Sequence, residues 1–119
     1  MAFEGADFKG PNGVNVAEIL RVADAVERST TFEMADTYHD DCGTPACIYG
    51  HLVPYNEDRH GWVAGTERLG ITEWQGQQLF SCLGTSVNLS DVTPQWAAAC
   101  LRKLAVTGVV DWIGTKPTN

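Results

Sequence analysis

Apolar side chains recur once per helical turn in this chain, each run behind recognisable capping residues, and that pattern restricts it to helices. Asn15 and Glu18 make a capping-box pair, each side chain able to satisfy a backbone N–H that the first turn leaves unpaired. Val16, Ile19, Leu20, Ala23 and Val26 follow at helical spacing on one face, while Asp24 and Arg28, four apart, face solvent. Thr44-Pro45 opens another helix, because Thr caps well and Pro suits the first helical position. That helix carries Ala46, Cys47, Ile48, Tyr49, Leu52 and Val53, apolar nearly all round, until Pro54 closes it. Thr93-Pro94 repeats the signature before a stripe of Ala97, Cys100, Leu101 and Leu104, with Gly108 as a left-handed exit. The residues that follow the two Thr-Pro pairs do not match, so the pair marks no repeat.

Between these lie weaker elements. A helix from about Arg59 to Leu69, ending at Gly70, is interrupted by Gly61 and Gly65. Thr72 and Gln75 form a second capping box, which opens a helix through Leu83 with Trp74, Leu79, Phe80 and Cys82 as its apolar positions. Gly84-Thr85-Ser86 breaks it. Residues 29–43 have no sustained period and read as a connection whose Phe32, Met34 and Tyr38 plug into the core. The expectation is an all-α fold, a compact orthogonal bundle of about five short helices with a short extended segment at its C-terminal end. Residues 1–14 form an irregular arm, 15–113 a single helical domain and 114–119 a frayed tail.

At 119 residues, 44% of them hydrophobic, the chain has enough material for one core and needs no metal or disulfide to supplement it. No apolar run reaches the ~20 residues that span a bilayer, and Met1–Asp7 lacks the basic and apolar segments of a secretory signal. The expected location is therefore the cytoplasm, where Cys42, Cys47, Cys82 and Cys100 stay reduced.

Charge is distributed unevenly. Residues 1–60 hold four Lys/Arg against eleven Asp/Glu, whereas residues 61–119 hold four of each. A surface of that sign repels phosphate backbones, so direct nucleic-acid binding is not expected, and it speeds encounter with basic partners.

Residues 36–51 contain the only dense set of reactive side chains. His39, Cys42, Cys47 and His51 are spaced H-x2-C-x4-C-x3-H and provide the two sulfurs and two nitrogens of a closed zinc site, although the spacing is not that of a standard finger or ribbon. Cys47 in the first turn of a helix, with His39, His51 or His60 as base, would suit a cysteine nucleophile. Glu33, Asp36, Asp40 and Asp41 offer carboxylates but not the calcium-loop pattern. A structural reading accounts for most of the segment: loop aspartates, Gly43 as a turn, Thr44-Pro45 as a helix start and packed cysteines. On that reading no residue is catalytic and no cofactor or metal is held; the functional expectation beside it is that Glu33, Asp36, Tyr38, His39, Asp40 and Asp41 form a face for a protein partner. Phosphate loops, dinucleotide fingerprints, G-x-S-x-G and H-E-x-x-H are absent. Trp62, Trp74, Trp96 and Trp112 are assigned to the core, and an exposed pair would instead mark a binding patch.

Several of these residues together resemble a set of small uncharacterised proteins encoded by bacteria, prophages and phages. They are Asn15-x3-Ile19-Leu20, Phe32-x-Met34, Cys42-Gly-Thr-x-x-Cys-Ile-x-Gly-His51, Leu69-Gly-Ile-Thr, Leu79-Phe80, Thr93-Pro94, Leu101-x-x-Leu-Ala-x-x-Gly108 and Asp111-Trp112. The likeness covers about residues 15–112, and C-G-T-x-x-C-I-x-G is its most specific element. It implies no activity and transfers no functional residue. In similar sequences Trp can take the place of His51, which weighs against zinc. The context it implies is an accessory protein of a phage or mobile element.

Overall fold

The computed structural model describes residues 10–34, 46–53 and 63–117. Five α-helices are present among the described residues: α1 (Val16–Arg28), α2 (Ile48–Leu52), α3 (Val63–Leu69), α4 (Glu73–Ser81) and α5 (Pro94–Thr107). Single 3-10 turns at Pro11–Gly13 and Leu89–Asp91 precede α1 and α5, and no β-strand occurs among the described residues. The fold is an all-α bundle in which α1 and α5 form the most extensive helix pair.

Three of the expected helix starts hold at atomic detail. The Asn15 side chain accepts the Glu18 N–H at 3.1 Å. The Thr72 and Gln75 side chains bond each other's backbone, a complete capping box, and Thr93 accepts the Trp96 N–H at 3.1 Å. The Asn15 pair is only half a box. Glu18 turns its carboxylate to Arg21 instead, at 2.8 Å, and the Asn15 N–H donates to the Leu69 carbonyl, which ties the start of α1 to the end of α3. Gly108, at φ +74°, supplies the left-handed exit of α5. The Gly108 carbonyl then accepts from Asn12 Nδ2 (3.0 Å) and Gln75 Nε2 (2.9 Å), so that end of α5 is bonded to two other elements.

Other expectations require correction. Helix α2 begins at Ile48 with Cys47 as its N-cap, not behind Thr44, and spans five residues. A helix that short is marginal by itself. It forms because Ala46, Cys47, Ile48, Tyr49, Leu52 and Val53 are all buried, and because Arg21 and Arg68 donate to the Leu52 carbonyl at its C-terminal end. The buried face of α1 is Ile19, Val22, Ala23 and Val26, with Leu20 left 42% exposed. Asp24 pairs not with Arg28 but with Arg102 of α5, as does Glu27, at 3.0 and 2.8 Å. Helix α4 stops at Ser81, since Cys82 takes the left-handed conformation (φ +56°) as its C-cap. The start of the arm, Tyr38 and the beginning of the expected third helix lie outside the described residues.

Gly65 lowers helix propensity in the sequence but has a packing reason. A Cβ there would stand 2.7 Å from Tyr49 Cε1 and 2.9 Å from Tyr49 Cδ1, so glycine lets α3 lie directly on the ring. That ring also meets Phe80 edge-on at 5.1 Å, which joins α2, α3 and α4. At the other end, Trp96 and Trp112 pack edge to face at 5.8 Å. Trp96 Nε1 donates to the Trp112 carbonyl (2.9 Å) and Trp112 Nε1 to the Gln78 carbonyl (2.7 Å), so both buried indoles are satisfied.

Candidate functional site

Of the residues expected to form the partner-binding face, Glu33 is exposed at the start of its segment, where its N–H bonds the Ala46 carbonyl at 2.9 Å. Asp36, Tyr38, His39, Asp40 and Asp41 lie outside the described residues. So do His39 and Cys42 of the candidate zinc set. The other two members of that set, Cys47 and His51, stand one turn apart as expected, with the His51 N–H bonded to the Cys47 carbonyl.

The His51 ring is engaged on both sides. Nδ1 lies 2.8 Å from the Cys47 carbonyl and Nε2 lies 2.8 Å from Ser29 Oγ. A carbonyl oxygen only accepts, so Nδ1 carries the proton, and in the neutral ring Nε2 accepts from the Ser29 hydroxyl. Ser29 Oγ in turn accepts the Thr31 N–H at 3.1 Å. The ring also lies against Phe32, centroids 6.0 Å apart. His51 thus fastens α2 to the turn that follows α1. To ligate zinc through Nε2 it would have to give up Ser29, and through Nδ1 the Cys47 carbonyl. Among the described residues no group of three or more His, Cys, Asp or Glu is placed to hold a metal ion.

The cysteines read as core. Cys47, Cys82 and Cys100 are buried, with 4%, 3% and 0% exposure. Burial pushes the Cys100 thiol up to about 12 and that of Cys82 to about 11, the reverse of what a nucleophile needs. Cys47 is buried at the start of α2.

Four carboxylates of the described body, Glu18, Asp24, Glu27 and Asp111, are ion-paired. Arg21 holds Glu18 below the ordinary carboxylate range by a bidentate hydrogen bond. Arg102 lowers Glu27 through a single hydrogen bond, and Lys103 together with the Gly114 N–H lowers Asp111. Most of the excess negative charge therefore belongs by sequence to residues outside the described ones.

Two features of the surface differ from the expectation or go beyond it. Trp74, assigned to the core, is 56% exposed. The buried positions of α4 are Gly76, Leu79 and Phe80, and Trp74 stands roughly 200° around the helix from Gly76, so the spacing did contain the signal. The loop before α5 and the segment after it line a half-open pocket of about 380 Å3. Val87, Trp96 and Ile113 give it apolar walls, and Asn88, Asp91 and Lys116 give it polar ones. Lys116 Nζ sits 6.0 Å above the Trp96 ring. No local sequence motif marks this pocket, because its walls come from three segments brought together by the fold.

In comparisons with known proteins, no family model, no curated protein and no solved structure matches the chain.

Proposed function

We propose that this chain is an acidic accessory protein of a phage or mobile element, acting in the cytoplasm by binding a protein partner rather than by catalysis. The observation that carries the reading is the location of its charge. All of the net negative charge falls in residues 1–60. Within the described body, Arg21, Arg102 and Lys103 already engage Glu18, Asp24, Glu27 and Asp111. The excess is thus concentrated in residues 33–41 and the adjoining loops, which gives one region of the molecule a field that attracts a basic surface. The binding face on this reading comprises Glu33, Asp36, Tyr38, His39, Asp40 and Asp41. Buried thiols and a His51 whose nitrogens are both bonded within the protein support binding over chemistry. No helix among the described residues is long and apolar enough to cross a membrane.

The test is affinity capture from the cell that makes the protein, using the full chain beside a variant in which Glu33, Asp36, Asp40 and Asp41 become Gln or Asn. The expected result is a partner retained by the native chain, released as salt is raised and lost with the neutralised variant. Recovery of no partner, or equal retention by both chains, would overturn the reading.

A further inference from the structure

A projecting indole and a cavity suited to one adjoin on this molecule. Trp74 extends from the first turn of α4, 56% exposed. Its ring leans towards Gly84, where a Cβ would lie 3.9 Å from Trp74 Cζ2. Two residues further on, Ser86 and Val87 begin the wall of the 380 Å3 pocket whose buried aromatic surface is Trp96. The far wall follows the same direction. Trp112 bonds the Gln78 carbonyl, one turn beyond Trp74, and its neighbour Ile113, 60% exposed, lines the pocket. Leu83, 42% exposed, precedes Gly84 in the chain and adds exposed apolar surface. An exposed tryptophan beside an aromatic-walled pocket is the kind of anchor-and-socket pair that dominates protein interfaces.

We propose that the occupant of this socket is Trp74 of a second copy of the chain. A two-fold axis passing between knob and socket delivers each indole to the other copy's pocket, and one patch serves both subunits. Charge favours the pairing. Glu73, exposed at the base of the knob, and Lys116, on the socket wall, are opposite in sign, and neither forms an ion pair among the described residues. In the reciprocal dimer each Glu73 meets the partner copy's Lys116 at the rim, twice per interface. Asp91 is the like charge at the socket, so removing it leaves the dimer no weaker. The pocket volume lies at the low end of ligand sites and is ample for one indole. The contact is correspondingly small, and the dimer is weak and concentration-dependent.

Sedimentation of the full chain over a concentration series tests this, with Trp74→Ala, Glu73→Lys, Lys116→Glu, Asp91→Asn and the double reversal Glu73→Lys/Lys116→Glu alongside. All of these positions but Trp74 lie on the polar surface, and Trp74 is itself exposed, so far-UV circular dichroism is expected to show the native helix content throughout. The native chain is expected to show a reversible monomer–dimer equilibrium that Trp74→Ala weakens roughly 30-fold or more. Each single reversal weakens it, and the double reversal recovers it, because the swapped charges again meet opposite partners. A native chain that stays monomeric at every concentration overturns the proposal. So does a dimer that survives Trp74→Ala, or a double reversal weaker than both single ones.

Discussion

Gly65 and Tyr49 show how one atom sets the distance between two helices. Replacing Gly65 by Ala raises intrinsic helix propensity by about 1 kcal/mol, yet the added methyl enters the Tyr49 ring. Because that ring is 1% exposed and wedged against Phe80, it has little room to yield. Gly65→Ala is therefore expected to destabilise the fold by about 1–3 kcal/mol in chemical denaturation, and a stabilised variant would show that α3 does not lie on Tyr49. His51 is the other residue whose position carries an argument. His51→Ala removes the bonds to Ser29 and the Cys47 carbonyl and should cost about 1–3 kcal/mol by the same measurement. An effect within error would mean the ring is not fastened there. The sequence offered both residues, but spacing alone did not settle their roles. Cys47 and His51 at i and i+4 fit ligation and packing equally well, and the hydroxyl that meets the His51 ring, Ser29, is 22 positions away.

At the level of elements, helices announced by side-chain caps were the most legible. Asn15, Thr72 and Thr93 each accept the N–H three residues on, and α1, α4 and α5 begin where those caps place them. The start of α2 was not legible, because Thr44-Pro45 carries the same local signature as Thr93-Pro94 while the helix begins at Ile48. Burial of the surrounding apolar residues, a tertiary effect, decides that boundary. The seam between α1 and α5 was equally hidden, since Arg102 meets Asp24 and Glu27 across 75 or more positions. These carboxylates give a sign to the pH dependence. Glu18, Glu27 and Asp111 have pKa values lowered in the folded state by Arg21, Arg102 and Lys103. Their contribution is present above the unfolded carboxylate range, about 4, and is lost as pH falls through the lower folded values. Thermal midpoints should thus drop on acidification below about pH 4, and Arg102→Ala should reduce the size of that drop. A midpoint indifferent to acid, or an identical profile for Arg102→Ala, would contradict the seam.

For the molecule as a whole, the core runs unbroken through Val14, Ile19, Leu52, Leu69, Leu79, Leu101 and Trp112, each at most 1% exposed. Its three described thiols belong to that core. The raised values of Cys82 and Cys100 mean that the folded state favours the protonated thiol, so their contribution is complete below the unfolded value and fades as pH rises through about 11 and about 12. A mild alkylating reagent near neutral pH is accordingly expected to leave Cys47, Cys82 and Cys100 unmodified until the protein is denatured, and rapid labelling of any of them in the native state would show that the core opens there. The all-α class followed from apolar periodicity, a property of the whole sequence. The pocket did not, because walls from separate segments depend on how the helices meet, whereas the exposure of Trp74 was carried by its spacing from the buried face of α4.

The claim beneath both the fold and its proposed role is that apolar burial closes this body without a prosthetic group. Thermal unfolding followed by far-UV circular dichroism, on protein purified without added metal and with or without a strong chelator, tests it most directly. A helical spectrum and one cooperative transition at the same midpoint in both samples are expected. A midpoint that collapses on chelation, or a spectrum dominated by β-structure, would contradict it.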